Sequence, residues 1–434
     1  MKMQGRTAIS GGSMRNPFDI LMHVKTGVNQ RRVCVVDIGS SKIAGAIVCL
    51  SDGTEPLVIA AHHMRSRGIR NGEIEDTEQA SRVIGRLVVE MEKQAQLTVE
   101  ELYISSSAHR LLSEFLSTTH QPERGIVTRE EIERALEETW LSHQAKKPIL
   151  YLQPVGIMLN GTFMTPNVNN IPASAIDVEM LAVRCEPNAL LTMRCAVNQA
   201  RLNIASIIPA SAAAGYACMS QAGDSSSFAL LELGAGVCSV SVYANGMLAD
   251  LYALPLGGEK IVEDVSHNLA LVKSDAERLI RRHGSIMTGA DQINEHLEDV
   301  KRGNDQAIPI SRAQLSSVIR PRILDILTRI GDHLDSIGFH GPHGNKVILS
   351  GGLAQLNDIE YFAKSILNRD IRLARVPALQ GLPGDMRECP SFAALAGLIV
   401  ALAHNEHLLW VQMTDQNRLD ALPVRALKAL AGSW

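Results

Sequence analysis

From Val33 the chain runs apolar as far as an acid: Val33-Cys34-Val35-Val36-Asp37-Ile38 has the composition of a buried strand. Gly39-Ser40-Ser41-Lys42 follows as a small polar turn. Ile43 to Val48 predicts a second strand, Asp52-Gly53 a hairpin turn, and Leu57 to Ala61 a third strand. The same order returns in mid-chain. Phe228 to Leu233 predicts a strand carrying Glu232 near its end, and Gly234-Ala235-Gly236 is the turn. Val237 to Tyr243 is the second strand, Asn245-Gly246 the hairpin signal, and Leu248 to Leu254 the third strand. A device written twice implies two related half-molecules. Helical sequence follows each copy, so the expected fold is α/β with two similar domains.

Helix periodicity fills the spaces between. Ala80, Val83, Ile84, Leu87, Val88, Met91 and Ala95 share one face, with Asp76 and Gln79 as a capping pair ahead of them. Thr128 and Glu131 open a second helix with Ile132, Ala135, Leu136 and Trp140 on its face. Leu102 to Ser107 and Ile149 to Leu159 read as strands, and a small α/β unit is expected at 97–175. A further helix after Pro187 uses Leu190, Met193, Val197 and Ala200. Residues 1–30 read as an extension outside the fold.

Composition narrows the class. The chain has 434 residues, enough for two cores, with 46% hydrophobic and 20% charged residues, as in an ordinary globular protein. A net charge of -4 and 4% aromatics offer neither a basic face nor stacking surfaces for nucleic acid. Seven scattered cysteines without a C-x-x-C pair read as structural thiols in a reducing compartment. No apolar signal region appears near the start, and the run from Phe392 to Ala403 is shorter than the ~20 residues of a membrane span. That run is expected to be a core helix.

The turns carry the candidate chemistry. Side-chain-free positions let successive backbone N–H groups face one anion, which suits Gly39-Ser40-Ser41 and Gly234-Ala235-Gly236 to phosphate. Asp37 is placed to hold Mg²⁺ through water, and Lys42 to reach a phosphate oxygen. Val347 to Ala354 adds a third element, a strand entering Gly351-Gly352-Leu353 and then a helix, whose N-terminus favours phosphate. Short glycine turns are common, and either hairpin alone says little. Their repetition, each beside an acid, is what points to a nucleotide.

Asp37 to Lys42, Glu232 to Gly236 and Leu349 to Gly352, in this order, resemble the actin, Hsp70 and sugar-kinase superfamily. Within it the chain is similar to the FtsA family of actin-like bacterial cell-division proteins, from about Arg31 to His404. Gly68 to Asp76, Ile104 to His109 with Gly125-Ile126-Val127, Pro209 to Ala214, Gly257-Gly258-Glu259 with Asp275-Ala276-Glu277, and Pro390 to Leu398 carry the same resemblance. It implies an actin-like, ribonuclease H-like fold with duplicated mixed sheets and a nucleotide cleft between them. Subdomain 1A would occupy 31–96 and 176–204, 1C 97–175, 2A 205–258 and 341–388, and 2B 259–340. A return helix would follow at 389–404, and a linker with an amphipathic tail at 405–434.

The resemblance also implies ATP and Mg²⁺ as cofactors. Asp37 and Glu232 take the catalytic positions and Asp37 the metal. Gly39, Ser40, Ser41, Lys42, Gly234, Ala235, Gly236, Gly258, Glu277, Gly351, Gly352 and Leu353 take the nucleotide. Implied partners are the FtsZ C-terminal peptide, other copies of the chain in filaments, other divisome proteins and anionic lipid, at the inner face of the cytoplasmic membrane at the septum. The chain departs from the family pattern at three places. Relatives have Asp where Glu232 stands and Thr where Val237 stands, which removes a hydroxyl near the γ-phosphate and implies slow hydrolysis at most. Ile280 stands where relatives often carry Lys beyond the ribose acid.

Other readings share parts of this pattern. A PilM-like pilus scaffold has an actin fold with a 1C-like unit, and a sugar-kinase-type enzyme shares the two hairpins but needs a further catalytic carboxylate. The tail discriminates among them. Polar Thr414 to Asn417 precede Pro423 at a helix start, and Val424, Leu427, Leu430 and Trp434 form one apolar stripe, expected to bind membrane unless it docks on the body.

Overall fold

The computed structural model describes residues 30–404, apart from 52, 109, 144–146, 165–169, 223–226, 245, 302–306 and 341–345. The extension and the amphipathic tail with Val424, Leu427, Leu430 and Trp434 lie outside the described residues. Gln30, expected in the extension, is the first residue of a strand and pairs with Ser51.

Two five-stranded sheets carry the fold. In the first, Gln30–Ile38 lies at the centre, antiparallel to Lys42–Ser51, which is antiparallel to the edge strand Leu57–Arg65. On its other side run Glu101–Ser106 and then Asn203–Pro209, both parallel. The second sheet repeats the plan: Phe228–Leu233 at the centre, antiparallel Cys238–Ala244 and Met247–Leu254 on one side, parallel Lys346–Ser350 and Asp370–Leu373 on the other. The central strands Gln30–Ile38 and Phe228–Leu233 end in near-continuous burial, because both faces of each sheet are covered.

The halves differ in where they carry extra chain. In the first, the addition follows the fourth strand. It is an antiparallel sheet ordered Thr162–Met164, Ile149–Leu159, Ile176–Arg184, Leu112–His120, packed on the helix Arg129–His143 around its own core of Leu116, Ile132, Leu136, Ile157 and Val178. The sheet corrects the boundaries expected at 97–175. Glu101–Ser106 is instead the fourth strand of the main sheet, and Ile176–Arg184 is the strand between Ile149–Leu159 and Leu112–His120. Apolar content alone cannot tell which sheet a strand joins. In the second half the addition follows the third strand, and comprises the helices Gly258–Asn268, Lys273–His283 and Arg312–Ser336 with the hairpin His296–Lys301 and Ala307–Ser311.

The expected caps form in part. Asp76 Oδ1 accepts from the Gln79 amide, while the Gln79 side chain bonds the same carboxylate instead of the backbone. Thr128 accepts from the Glu131 amide, but the Glu131 side chain turns to His120. The apolar run before His404 is indeed a core helix, Ala393–Ala403. It crosses Ala210–Cys218 so closely that a Cβ on Gly397 would stand 1.7 Å from the Ala213 carbonyl oxygen. No helix among the described residues is long and apolar enough to cross a membrane. The seven cysteines are free thiols; Cys195 is exposed and Cys389 half-buried, and the other five are buried.

Candidate functional site

Each hairpin turns in the same way. Ile38 pairs with Ile43 and the Gly39 amide donates to the Lys42 carbonyl at 3.1 Å. Leu233 pairs with Cys238 and the Gly234 amide donates to the Val237 carbonyl, also at 3.1 Å. The register therefore makes Asp37 the counterpart of Glu232, and Lys42 the counterpart of Val237. The parallel neighbours match as well: Ser105 lies beside Asp37, and Ser350 beside Glu232.

The turns meet. A Cβ on Gly236 would stand 2.4 Å from Ser40 Oγ and 2.7 Å from Asn71 Cα, so the second hairpin touches the first across the division between halves. Ser40 Oγ also accepts from the Gly72 amide at 2.8 Å. On the other side the Gly258 amide donates to the Gly234 carbonyl at 3.1 Å and the Glu259 amide to that of Ala235 at 2.7 Å, which sets Gly257-Gly258 against the second turn. Gly258 in turn lies beside the Leu353 side chain. Gly39, Ser40, Gly234, Ala235, Gly236, Gly258 and Leu353 thus belong to one knot, with Gly351-Gly352 entering it after Ser350.

The two glycines of the third turn have different reasons. Gly351 has φ +89°, and a Cβ there would stand 2.4 Å from the Leu233 carbonyl oxygen, so the protein's own backbone requires it. A Cβ on Gly352 would meet nothing within 4 Å. Its absent side chain leaves open space beside the turn.

Charge is concentrated at the centre. Asp37 is buried and accepts from Ser105 Oγ at 2.7 Å. Burial pushes its carboxyl above the usual range, with that hydrogen bond and Lys42 pulling it partly back. Glu232 is pushed up to about 8, by burial first and then by the charge of Asp37, with Lys42 opposing. Its Oε2 and the Ser350 hydroxyl are both buried without a hydrogen-bond partner. Lys42 is drawn down by burial against the pull of Asp37, Cys389 and Glu232. Its ammonium donates to the Ser391 carbonyl and hydroxyl, and lies 3.6 Å from the centre of the Phe392 ring.

Glu277, expected at the ribose, pairs with Arg65 of the first half at 2.6 Å. A second pair, Arg70 with Glu263 at 3.3 Å, also joins the halves. Sequence reasoning missed Ser105, Ser350, Ser391, Phe392 and the Asn71-Gly72 turn. Ser105 and Ser350 left a signal: each ends an apolar run at the level where a turn begins.

The donors fit a hard divalent cation held among phosphates. Asp37, Glu232, Ser105 and Ser350 are all oxygen ligands or their supports, and two of them are buried without partners. Among the described residues no cluster of three or more His, Cys, Asp or Glu side chains could hold a metal ion alone.

Comparison with known proteins places this arrangement. Cell division protein FtsA of Agrobacterium fabrum is 30% identical over 385 residues, covering 85% of this chain and 86% of that one. The chain belongs to the FtsA family. The Rhizobium meliloti member is 29% identical over 384 residues, and the Escherichia coli member 20% over 388. A family model described as Cell division protein FtsA matches residues 229–397. Among solved structures, the PilM–PilN type IV pilus biogenesis complex aligns with TM-score 0.62 at 15% identity, covering 86% of this chain and 98% of that one. MreB5 of Spiroplasma citri bound to ADP aligns with TM-score 0.50 at 10% identity, covering 87% and 98%. These likenesses show an actin fold, and the family is that of an actin-like cell-division protein.

Proposed function

We propose that the knot of glycine turns binds Mg-ATP, and that the nucleotide governs assembly of this FtsA-family chain into filaments that tether the FtsZ ring to the membrane. One observation carries the nucleotide reading: three glycine turns converge on buried Asp37 and on half-buried Glu232, whose Oε2 is buried, with open space beside Gly352. Two fold neighbours lend support. MreB5 is bound to ADP, and MamK, aligned with TM-score 0.50 at 8% identity, forms a double helical filament.

In this reading the bound nucleotide supplies the γ-phosphoryl group and its charge. The Gly39 and Gly234 amides close the turns, and the backbone amides of Ser40, Ser41, Ala235 and Gly236 orient that group. Asp37, held by Ser105, supports the metal through water. Lys42 leaves Ser391 for a phosphate oxygen. Glu232 holds a proton near neutral pH, and a cation beside it draws that proton off. Val237 offers no hydroxyl, so hydrolysis is slow and the nucleotide acts as an assembly switch.

The antiparallel unit at 112–184 is assigned to filament contacts, 259–340 to the FtsZ C-terminal peptide, and 405–434 to anionic lipid at the inner face of the cytoplasmic membrane. A pull-down with that peptide is the test. Retention of the chain, lost when 259–340 carries charge reversals, is the expected result. No retention at any peptide concentration would favour an actin-fold scaffold of the pilus type.

A further inference from the structure

On the outer side of the first half, a groove of about 830 Å³ lies between the edge strand Leu57–Arg65 and the helix Thr77–Ala95. Its walls are cationic from both sides. Arg65 and Arg67 enter from the strand end, and Arg82 and Arg86, one turn apart, from the helix. Against these four arginines stand two acids, Asp76 and Glu78, giving a local charge of +2 with His62 neutral, in a chain whose net charge is -4. Both acids are already engaged. Asp76 caps the helix through the Gln79 amide and side chain, and Glu78 pairs with Arg82 at 2.5 Å. Among the described residues Arg67 and Arg86 form no ion pair.

Edge strands carry charges to prevent sheet-to-sheet pairing. That role accounts for Arg65 and Arg67 but not for two arginines facing them from a helix. No residue of the three glycine turns lines the groove, so it is not the nucleotide cleft seen from outside. It is joined to the cleft through the backbone, however. Arg65 pairs with Lys42 in the sheet, and the Ser66 amide donates to the Ser41 carbonyl at 3.0 Å. Arg65 also holds Glu277 of the opposite half.

We infer that this groove is a second anion site, taking a ligand with two or more phosphate groups that competes with Glu277 for Arg65. Guanidinium forks match phosphate oxygens in pairs, and several around one groove select a compact polyanion over a single carboxylate. The phosphate groups belong either to a soluble oligophosphate or to a phospholipid headgroup, and occupancy releases the Arg65–Glu277 ion pair between the halves.

The test is calorimetric titration of the full chain with inorganic tripolyphosphate, in the Gly352→Asp background so that the proposed nucleotide site is blocked. Arg67→Ala/Arg86→Ala should weaken binding at least about tenfold, and Arg67→Lys/Arg86→Lys by less. Glu277→Gln should tighten it about two- to fivefold by freeing Arg65, an effect that a merely structural arginine pair would not give. Flotation on vesicles containing cardiolipin, whose headgroup carries two phosphates, distinguishes the sources: reduced flotation of Arg67→Ala/Arg86→Ala identifies a headgroup, and unchanged flotation a soluble anion. Tripolyphosphate binding that ignores both alanine substitutions overturns the proposal. So does binding present only when residue 352 is glycine, or retention of acidic peptides in place of tripolyphosphate.

Discussion

In the first half Asp37 accepts a hydrogen bond from Ser105 on the neighbouring strand, and Lys42 closes the turn beside it. At the matching places of the second half, Glu232 Oε2 and Ser350 Oγ are buried without partners, and the turn closes with Val237. Strand order, strand sense and turn hydrogen bond are shared. Duplication therefore supplies the frame, while single side chains decide how each acid is satisfied within it. The halves also diverge in where extra chain enters, after the fourth strand in one and after the third in the other.

That second contrast gives the largest expected effect. Leu112 and Arg184 are paired at the root of the antiparallel unit, so 112–184 is removable with a short Gly-Ser bridge. Electron microscopy with ATP on lipid monolayers should show filaments for the intact chain and none for the excised one, with circular dichroism confirming that the remainder folds. Normal filaments from the excised chain would move the contact elsewhere.

The two acids should part next in their pH dependence. Glu232 rises from 4.5 in the unfolded chain to about 8 on folding, so its protonated form is what the fold favours. Its contribution to stability is complete below pH 4.5 and is lost as pH climbs to 8. The melting temperature of the ligand-free chain should fall by several degrees from pH 5 to pH 8, and Glu232→Gln should remove part of that slope. Equal slopes in the two proteins would mean that Glu232 ionises freely.

A smaller effect is expected at Val237. Val237→Thr supplies the hydroxyl that the family resemblance implies at this turn and should raise phosphate release by about tenfold or less, from a rate far below the ~10 s⁻¹ enzyme median. No change would show that the missing hydroxyl does not limit turnover. The smallest belongs to the exposed pairs that join the halves: Arg70→Ala should alter ADP release in stopped flow by roughly twofold. A change of a hundredfold would make that pair a principal latch.

Much of this frame was legible before any coordinates. The acids, the turns and the paired hairpins are local patterns, and local patterns survive folding. What was not legible is long-range. Nothing near Leu102 says that its strand joins the main sheet, nor near Ile176 that its strand joins the smaller one. The Ser391 and Phe392 contacts of Lys42 span 349 and 350 positions of chain. The Arg65 partner of Glu277 lies 212 residues away, in the other half.

The central claim is that the two halves hold Mg-ATP between their glycine turns, and the glycines themselves give the cleanest probe. Gly351→Asp would break the backbone whatever binds there, because φ is positive and the Leu233 carbonyl is in the way. A Cβ on Gly352 meets no protein atom within 4 Å, so Gly352→Asp should fold normally, yet it sets a carboxylate where phosphate is expected. Isothermal titration with Mg-ATP should therefore show binding to the unmodified chain and none to a Gly352→Asp protein of unchanged melting temperature. Equal affinity in the two would contradict the account.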